Sequence, residues 1–342
     1  MPSVALDATY STGDVLSGVG LYSREILFGL AAAHPETRFD FWYRGQRFWR
    51  SRREPIPRNA RRRLLAGPLG PRRSELFHGL NQRLPGILPP RSVATFHDLF
   101  VLSGEYSTPE FRRRFAGQAR DAAARASAII AVSAFTRDQV VQLLGVEPAK
   151  VTVVHHGVRR LEIPKVAREN VILNVGAIQK RKNIARLVHA FAAVDPDWKL
   201  VLAGSDGFGA AEIHACIAAS PARERISVLG YVSPPDLAGW YARARVFAFP
   251  SLDEGFGMPV LEAMSAGVAV MTSNRSSLPE VAGDASLLVD PFDDEAVTEG
   301  LRRITRDDNL RDHLILRGKE RVAEFTWQKA VEDTWRVYLG LR

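Results

Sequence analysis

Glu254 and Glu262 flank the run Gly255-Phe256-Gly257-Met258-Pro259, between an apolar stretch at Val246–Phe249 and a helical pattern over Pro259–Ala266. Proline is tolerated in a helix's first turn, so Pro259 can open that helix. Gly255 and Gly257 let backbone approach a ligand with no side chain in the way, and the helix start offers N–H groups and the positive dipole end to a phosphate. Phe256 and Met258 complete the loop. Glu254 in the loop can reach polar groups of a ligand. Glu262, one turn into the helix, can accept a pair of vicinal hydroxyls such as those of a ribose. One loop and one helix could thus hold a diphosphate with an acid on each side. The competing explanation is an ordinary turn followed by a helix whose acidic first turn suits the dipole.

A second cluster favours the first explanation. Lys180, Arg181 and Lys182 follow the strand pattern Val171–Val175 and precede Asn183, a candidate helix N-cap. Cations at a helix start oppose the dipole, and a bound anion relieves the conflict. In the N-terminal half, His97 and Asp98 end the strand pattern Ser92–Phe96. A single histidine there is as readily a satisfied core residue. Gly18 and Gly20 belong to a glycine-rich stretch before a helix, a candidate phosphate or acceptor loop. Ser23 stands where a dinucleotide fingerprint needs its third glycine, so a nicotinamide enzyme is disfavoured. Asp195-Pro-Asp197 reads as a turn, His155 and His156 lack partners at metal-ligand spacing, and neither a Walker A run nor a G-x-S-x-G elbow occurs.

These residues need strands to carry them. Apolar runs alternate with helical patterns: strands at Val4–Ala8, Phe39–Tyr43, Glu75–His78, Ser92–Phe96, Ala128–Val132 and Val151–Val154, with helices at Gly20–Ala33, Ala116–Ser127 and Thr136–Leu144. After a polar stretch at 159–169 the pattern restarts, with strands at Val171–Val175, Lys199–Ala203, Ile226–Leu229, Val246–Phe249, Ala269–Thr272 and Ser286–Val289. Helices fall between them, and two acidic-to-basic helices close the chain. Such alternation predicts an α/β fold of two Rossmann-like domains with parallel sheets, residues 1–160 and 161–324, their ligands at the carboxyl ends of the strands in an interdomain cleft.

The 342 residues are 46% hydrophobic and 25% charged, as in globular proteins. No run reaches the length of a membrane span, the start lacks a basic signal region, and the single cysteine, Cys216, excludes an internal disulfide. A cytoplasmic protein is expected. The formal charge of +8 is concentrated in the first half, where Arg44 to Arg73 holds eleven arginines and one acid, Glu54, beside Trp42, Tyr43, Phe48 and Trp49. This segment suits an anionic membrane surface, a lipid diphosphate or a nucleic acid; it equally reads as a solvated loop and helix face.

The ordered series of motifs resembles the retaining GT-B glycosyltransferases of family 4 (group 1), in particular mannosyltransferase-like members. The series runs through Ser17-Gly-Val-Gly20, Phe96-His-Asp-Leu99, Ala131-Val-Ser133, His156-Gly-Val158, Arg181-Lys-Asn183, Gly230-Tyr-Val232, the Glu254-x7-Glu262 motif, Ser277-Leu-Pro-Glu-Val-Ala-Gly283 and Phe325-Thr-Trp327. The resemblance implies a nucleotide-diphosphate sugar, with GDP-mannose the candidate, held mainly by the second domain. It implies an acceptor saccharide or lipid-diphosphate-linked saccharide at the first, in cell-surface polysaccharide assembly. It also implies no metal or other cofactor, no nucleic acid partner, peripheral attachment at the inner membrane face, and a last helix (325–342) crossing back to the first domain. By the same resemblance Glu254 and His97 contact the transferred sugar, Glu262 holds the ribose, and Lys182 neutralises the leaving diphosphate. Ala177 stands where many members carry arginine, which makes Arg181 the candidate second cation, and His156 stands where asparagine is common. Other expectations consistent with the residues are a different GT-B nucleotide-sugar enzyme, such as a hydrolysing epimerase, and a non-catalytic basic membrane-binding protein.

Overall fold

The computed structural model describes residues 3–66, 70–159 and 161–341. Positions 67–69 of the arginine-rich segment, residue 160 of the polar stretch, and the terminal residues 1, 2 and 342 lie outside the described residues. The chain divides into two compact units. The first takes everything up to Ser103, then Pro109–Gly157 and the stretch from Phe325 onward; the second takes Gly104–Thr108 and Val158–Glu324.

In the first unit, strands β1 (Ser3–Asp7), β2 (Arg38–Arg44), β3 (Ala60–Leu65), β4 (Leu76–Gly79), β5 (Arg91–Phe96), β6 (Ala128–Ala131) and β7 (Val151–Val153) form a parallel sheet in the order β3-β2-β1-β4-β5-β6-β7. Helix α1 (Gly18–Ala33) begins where the Ser17 hydroxyl accepts a hydrogen bond from the Gly20 N–H at 3.2 Å. It buries Tyr22, Ile26, Leu27 and Leu30 against Phe39, Phe41 and Tyr43, one face of β2. Strand residues alternate, so Arg38, Asp40 and Trp42 point to the other face. Short α2 (Gln46–Ser51) and α3 (Phe100–Ser103) precede α4 (Pro109–Arg125), whose Ala119, Ala122 and Ala123 share a core with residues of β5 and β6; α5 (Ala134–Leu144) follows, stopped by Gly145 at φ +66°.

The second unit repeats the plan. Strands β8 (Glu169–Val175), β9 (Lys199–Ala203), β10 (Ile226–Gly230), β11 (Ala244–Phe249), β12 (Ala269–Ser273) and β13 (Leu287–Val289) lie parallel in the order β10-β9-β8-β11-β12-β13. Between and after them run α6 (Ile184–Phe191), α7 (Ala210–Ala219), α8 (Pro234–Arg243), α9 (Met258–Ser265), α10 (Leu278–Ala282), α11 (Asp294–Arg306) and α12 (Asp308–Val322). The order reverses between β8 and β11, and ligands of doubly wound sheets bind at the carboxyl side of such a reversal. A last helix, α13 (Trp327–Leu339), belongs to the first unit and packs on α1.

Several local expectations are corrected. Three helices, not two, close the chain. Helix α4 starts a full two turns before Ala116, over Glu110 and Arg112–Arg114, where exposed charges hide the apolar period. The glycines Gly18 and Gly20 sit inside the first turn of α1 rather than in the loop before it. The arginine-rich segment is neither all loop nor all helix: it contains the unanticipated edge strand β3, whose Arg61-Arg62-Arg63 run masks its alternation. Part of its charge is used within the unit. Arg44 pairs with buried Asp7 at 3.2 Å, Arg63 with Asp40 at 3.2 Å, Arg47 donates to the Thr12 carbonyl at 2.9 Å, and Arg62 donates to the Ser51 carbonyl at 3.1 Å and to that of Glu54. Trp49 is 62% exposed, with the Arg52 guanidinium against its ring.

The α1–α13 contact is closest at Gly29, where an added Cβ would fall 2.4 Å from Val331 Cγ2. On an open helix face Gly→Ala stabilises by about 1 kcal/mol. Gly29→Ala is therefore expected to lower the urea midpoint instead, and adding Val331→Ala to recover much of the loss, because the second change removes the colliding methyl. An unchanged or raised midpoint in the single variant would mean that α13 does not rest on Gly29.

Candidate active site

The loops that follow β8 and β11 meet at the reversal of the second sheet. Their backbones are tied where the Leu252 N–H donates to the Arg181 carbonyl at 2.9 Å. Lys180–Lys182 form one 3-10 turn after Gly176, whose φ of +146° and place against Gly204 suit glycine alone: a Cβ on Gly204 would lie 1.9 Å from the Gly176 carbonyl oxygen. This close approach brings Lys182 inward. Its ammonium lies 2.6 Å from Glu254 Oε1 and 4.6 Å from the centre of the Phe249 ring, while Arg181 Nη1 lies 2.9 Å from Glu254 Oε2 and also donates to the Asp253 carbonyl. All three charged side chains are buried. Lys180, in contrast, faces outward to Glu212 at 2.8 Å. Burial alone would raise the Glu254 carboxyl, but the charges and hydrogen bonds of Arg181 and Lys182 outweigh it and hold the group down to about 2. Both cations thus bear on one carboxylate.

The Glu254 backbone is fixed from the end of β12: its N–H donates to Ser276 Oγ at 3.2 Å and its carbonyl accepts from Ser277 Oγ at 2.8 Å. Ser276 holds a left-handed φ of +56° to do so. Gly255, Phe256 and Gly257 continue the loop, all buried, and Gly257 at φ +100° occupies the N-cap of α9 with no side chain capping the helix. Met258 and Pro259 form its first turn, part-exposed. Glu262 follows on α9. Its Oε2 accepts from the Tyr241 hydroxyl at 3.1 Å, and burial pushes its carboxyl up to about 7, against the smaller opposing pull of that hydrogen bond and of Arg159. Tyr241 gives no sequence signal, since a tyrosine on an apolar helix face reads as core. Asn183 stands at the start of α6, yet its side chain donates to the Pro291 carbonyl at 2.7 Å rather than capping the helix.

The remaining candidates lie in the first unit. His97 follows β5 and is buried; its Nε2 donates to the Leu80 carbonyl at 2.9 Å, and burial lowers the ring to about 4, so it is neutral at physiological pH. Tyr22 meets it edge-on at 4.7 Å, and His156 lies 5.3 Å away. Behind them runs a polar chain that sequence reasoning missed: Tyr338 of α13 to His78 Nδ1 at 2.6 Å, His78 Nε2 to Thr95 at 2.8 Å, and Thr95 to Tyr22 at 3.0 Å. Asp98 is half-buried beside His97, Gly20 is buried with Tyr10's carbonyl 2.8 Å from where a Cβ would stand, and Gly18 is exposed. Asp195-Pro-Asp197 forms a turn, Asp195 Oδ1 accepting from the Asp197 N–H at 3.1 Å. Among the described residues no group of three or more His, Cys, Asp or Glu side chains could hold a metal ion.

Residues 159–321 match the family of glycosyl transferases group 1, and residues 47–160 match glycosyltransferase family 4. The chain belongs to the group 1, family 4 glycosyltransferases. It is similar to the O-antigen chain mannosyltransferase B of Escherichia coli, 29% identical, with 94% of this chain and 96% of that protein covered. It is also 27% identical to the serotype-specific mannosyltransferase WbdA of Escherichia coli over 70% of this chain, where it spans 32% of that longer protein. Among solved structures it superposes on the sucrose-phosphate synthase of Thermosynechococcus elongatus with a TM-score of 0.79 at 22% identity, covering 100% of this chain and 99% of that one. The fold is therefore GT-B, and the protein is a glycosyltransferase.

In this glycosyltransferase the Arg181–Glu254–Lys182 cluster is also a stability element. Glu254→Gln leaves two buried cations without their carboxylate and is expected to cost about 3–5 kcal/mol near neutrality. The wild-type contribution is present above the unfolded carboxyl's pKa of about 4.5 and is lost as pH falls through the folded value of about 2. Thermal melts of wild type and variant should accordingly be far apart at pH 6 and converge as the pH approaches 2; parallel curves across that window would contradict the assignment.

Proposed function

We propose that the second unit holds a nucleotide-diphosphate sugar at the β8–β11 reversal and that the enzyme transfers the sugar, with retained configuration, to a saccharide or lipid-diphosphate-linked saccharide in cell-surface polysaccharide assembly. The observation that carries the donor site is the buried Arg181–Glu254–Lys182 cluster joining the two loops beside the uncapped start of α9. Its two cations and the N-terminal N–H groups of α9 suit the diphosphate, whose negative charge grows as the sugar leaves. Lys182 and Arg181 take the leaving-group role, without a divalent ion. Glu254 is held ionised and immobile at the same point, where it contacts the transferred sugar. Glu262 accepts the ribose hydroxyls, and Phe256, Gly255, Gly257, Met258 and Pro259 shape the loop around the donor. In the first unit neutral His97 contacts the sugar, with Asp98 and the Gly18–Gly20 turn on the acceptor side. Similarity to the O-antigen mannosyltransferase supports mannose as the sugar and GDP-mannose as the donor. No helix among the described residues is long and apolar enough to cross a membrane. The exposed arginines around Trp49 support peripheral attachment to an anionic membrane face.

The donor is identified by melting the protein with GDP, UDP and ADP in turn, each with magnesium and with EDTA. A ligand that binds only the native state raises the melting temperature. Stabilisation by GDP that is indifferent to EDTA is expected, with the affinity weakened roughly tenfold or more in Glu262→Ala, since each hydrogen bond to a charged group contributes about 1.5–3 kcal/mol. Stabilisation that requires magnesium, or that survives the substitution, would overturn the site as drawn; anomeric NMR of the product then tests retention.

A pH dependence follows from Glu262. Its carboxyl, raised to about 7, must be ionised to accept two hydroxyls, so nucleotide affinity should strengthen as pH rises through that value. The same group lowers stability over that range in the free enzyme, because the folded state holds its proton more tightly than the unfolded chain. Calorimetric titration between pH 6 and 8 should show the trend in wild type and a flatter one in Glu262→Gln, the variant correcting for titration of the nucleotide itself.

A further inference from the structure

On the face of the first sheet turned away from α1, the starts of β1 and β2, part of β3 and the stretch Gly70–Ser74 enclose a cavity of about 530 Å³. That volume falls within the usual range of small-molecule sites. Its wall includes four guanidinium groups, those of Arg38, Arg63, Arg72 and Arg73, and one carboxylate, that of Asp40. Asp40 is already engaged, with Arg63 Nε at 3.2 Å and Arg38 Nη2 at 3.9 Å. Arg72 and Arg73 are exposed, and among the described residues neither has an ion-pair partner. Two of the lining side chains, Arg38 and Trp42, also each have one donor, Nε and the indole Nε1, that is buried without a hydrogen-bond partner. Buried donors are nearly always paired.

We propose that this cavity binds a phosphate or diphosphate group, at a site distinct from the one at the β8–β11 reversal. Four arginines and a single, already engaged carboxylate line one cavity, and an anion there offsets the excess of positive charge. Guanidinium forks match phosphate oxygens two at a time, which a lone ammonium cannot do. The site is also distinct from the candidate acceptor residues of the same unit: Ser3 and Arg38 are the first residues of their strands, whereas His97 follows the carboxyl end of β5. The Trp42 ring gives it an apolar floor beside the cations, suiting an organic phosphate rather than a bare ion.

The test titrates pyrophosphate calorimetrically into the full chain, comparing wild type, Lys182→Met, and Lys182→Met carrying Arg72→Gln and Arg73→Gln, so that the site at the β8–β11 reversal is weakened before the cavity is tested. Both arginines are exposed, so adding their substitutions is expected to leave the fold of Lys182→Met unchanged. Binding that persists in Lys182→Met and weakens roughly tenfold or more when the two arginines are also replaced supports the site. Binding in Lys182→Met that the two arginine substitutions leave unchanged, or no saturable binding at millimolar concentration, overturns it. Phenylglyoxal footprinting of the unmodified protein gives an independent readout: pyrophosphate should protect Arg72 and Arg73, and protection confined to Arg181 would again overturn the proposal. Two further arms separate the sources of the phosphate. Displacement of pyrophosphate by vesicles containing phosphatidic acid, but not by phosphatidylcholine vesicles, assigns a lipid phosphate; displacement by soluble sugar phosphates alone assigns a free one.

Discussion

The β8–β11 reversal of the second sheet is organised around one carboxylate buried against two cations. Glu254 sits where the loops after β8 and β11 converge, and its ion pairs join the two loops there. A carboxylate removed from water loses several kcal/mol of hydration, and only close, well-oriented cations offset it. Arg181 and Lys182 supply both contacts, and the close backbone approach of Gly176 to Gly204 brings their turn to that point. The Ser276 and Ser277 hydroxyls then fix the Glu254 backbone, so the carboxylate is held from both ends. A charge fixed in this way needs no reorganisation when a second charge develops nearby, which is the requirement for electrostatic stabilisation of a leaving group.

The two glutamates of the motif are alike in type and opposite in state. Glu254 is held ionised by neighbouring cations, whereas Glu262, with a tyrosine hydroxyl and a more distant arginine, is pushed towards neutrality by burial. Two carboxyl groups on one loop and helix are thereby driven in opposite directions, and environment alone sets the difference. The first unit uses the same device on histidine. His97 and His78 are both kept neutral by burial, and each has its ring fixed by hydrogen bonds, His78 through Tyr338 of the last helix. The returning helix therefore does more than cover α1: it anchors a polar chain that ends on Tyr22, the ring packed against His97.

Much of this was legible in the sequence. Buried parallel strands appear as short apolar runs, and those ending at Val175 and Phe249 already placed Arg181, Lys182 and Glu254 just past strand ends, whereas the adjacency of the two strands came only with the sheet order. What was not legible falls into two physical classes. Charged residues that lie on an exposed face conceal the period beneath them, as over the first turns of α4 and along β3. Polar residues that act from within apolar faces look like core, as do Tyr241, Thr95 and His78. The glycine-rich stretch at the start of α1 hid the helix boundary for a related reason: Gly18 and Gly20 look like loop residues in sequence, yet they form the first turn of α1.

The buried cluster also bears on why such an arrangement persists. Replacing a buried ion pair by well-packed apolar groups is often neutral or stabilising, so stability alone does not account for three charged residues in this position. Here the two cations follow one another in a single 3-10 turn and both bear on Glu254, three residues before the uncapped start of α9. Neighbouring like charges and a positive helix end do not help one another in folding. An arrangement that sets them together fits the anionic donor proposed above better than it fits a purely structural role.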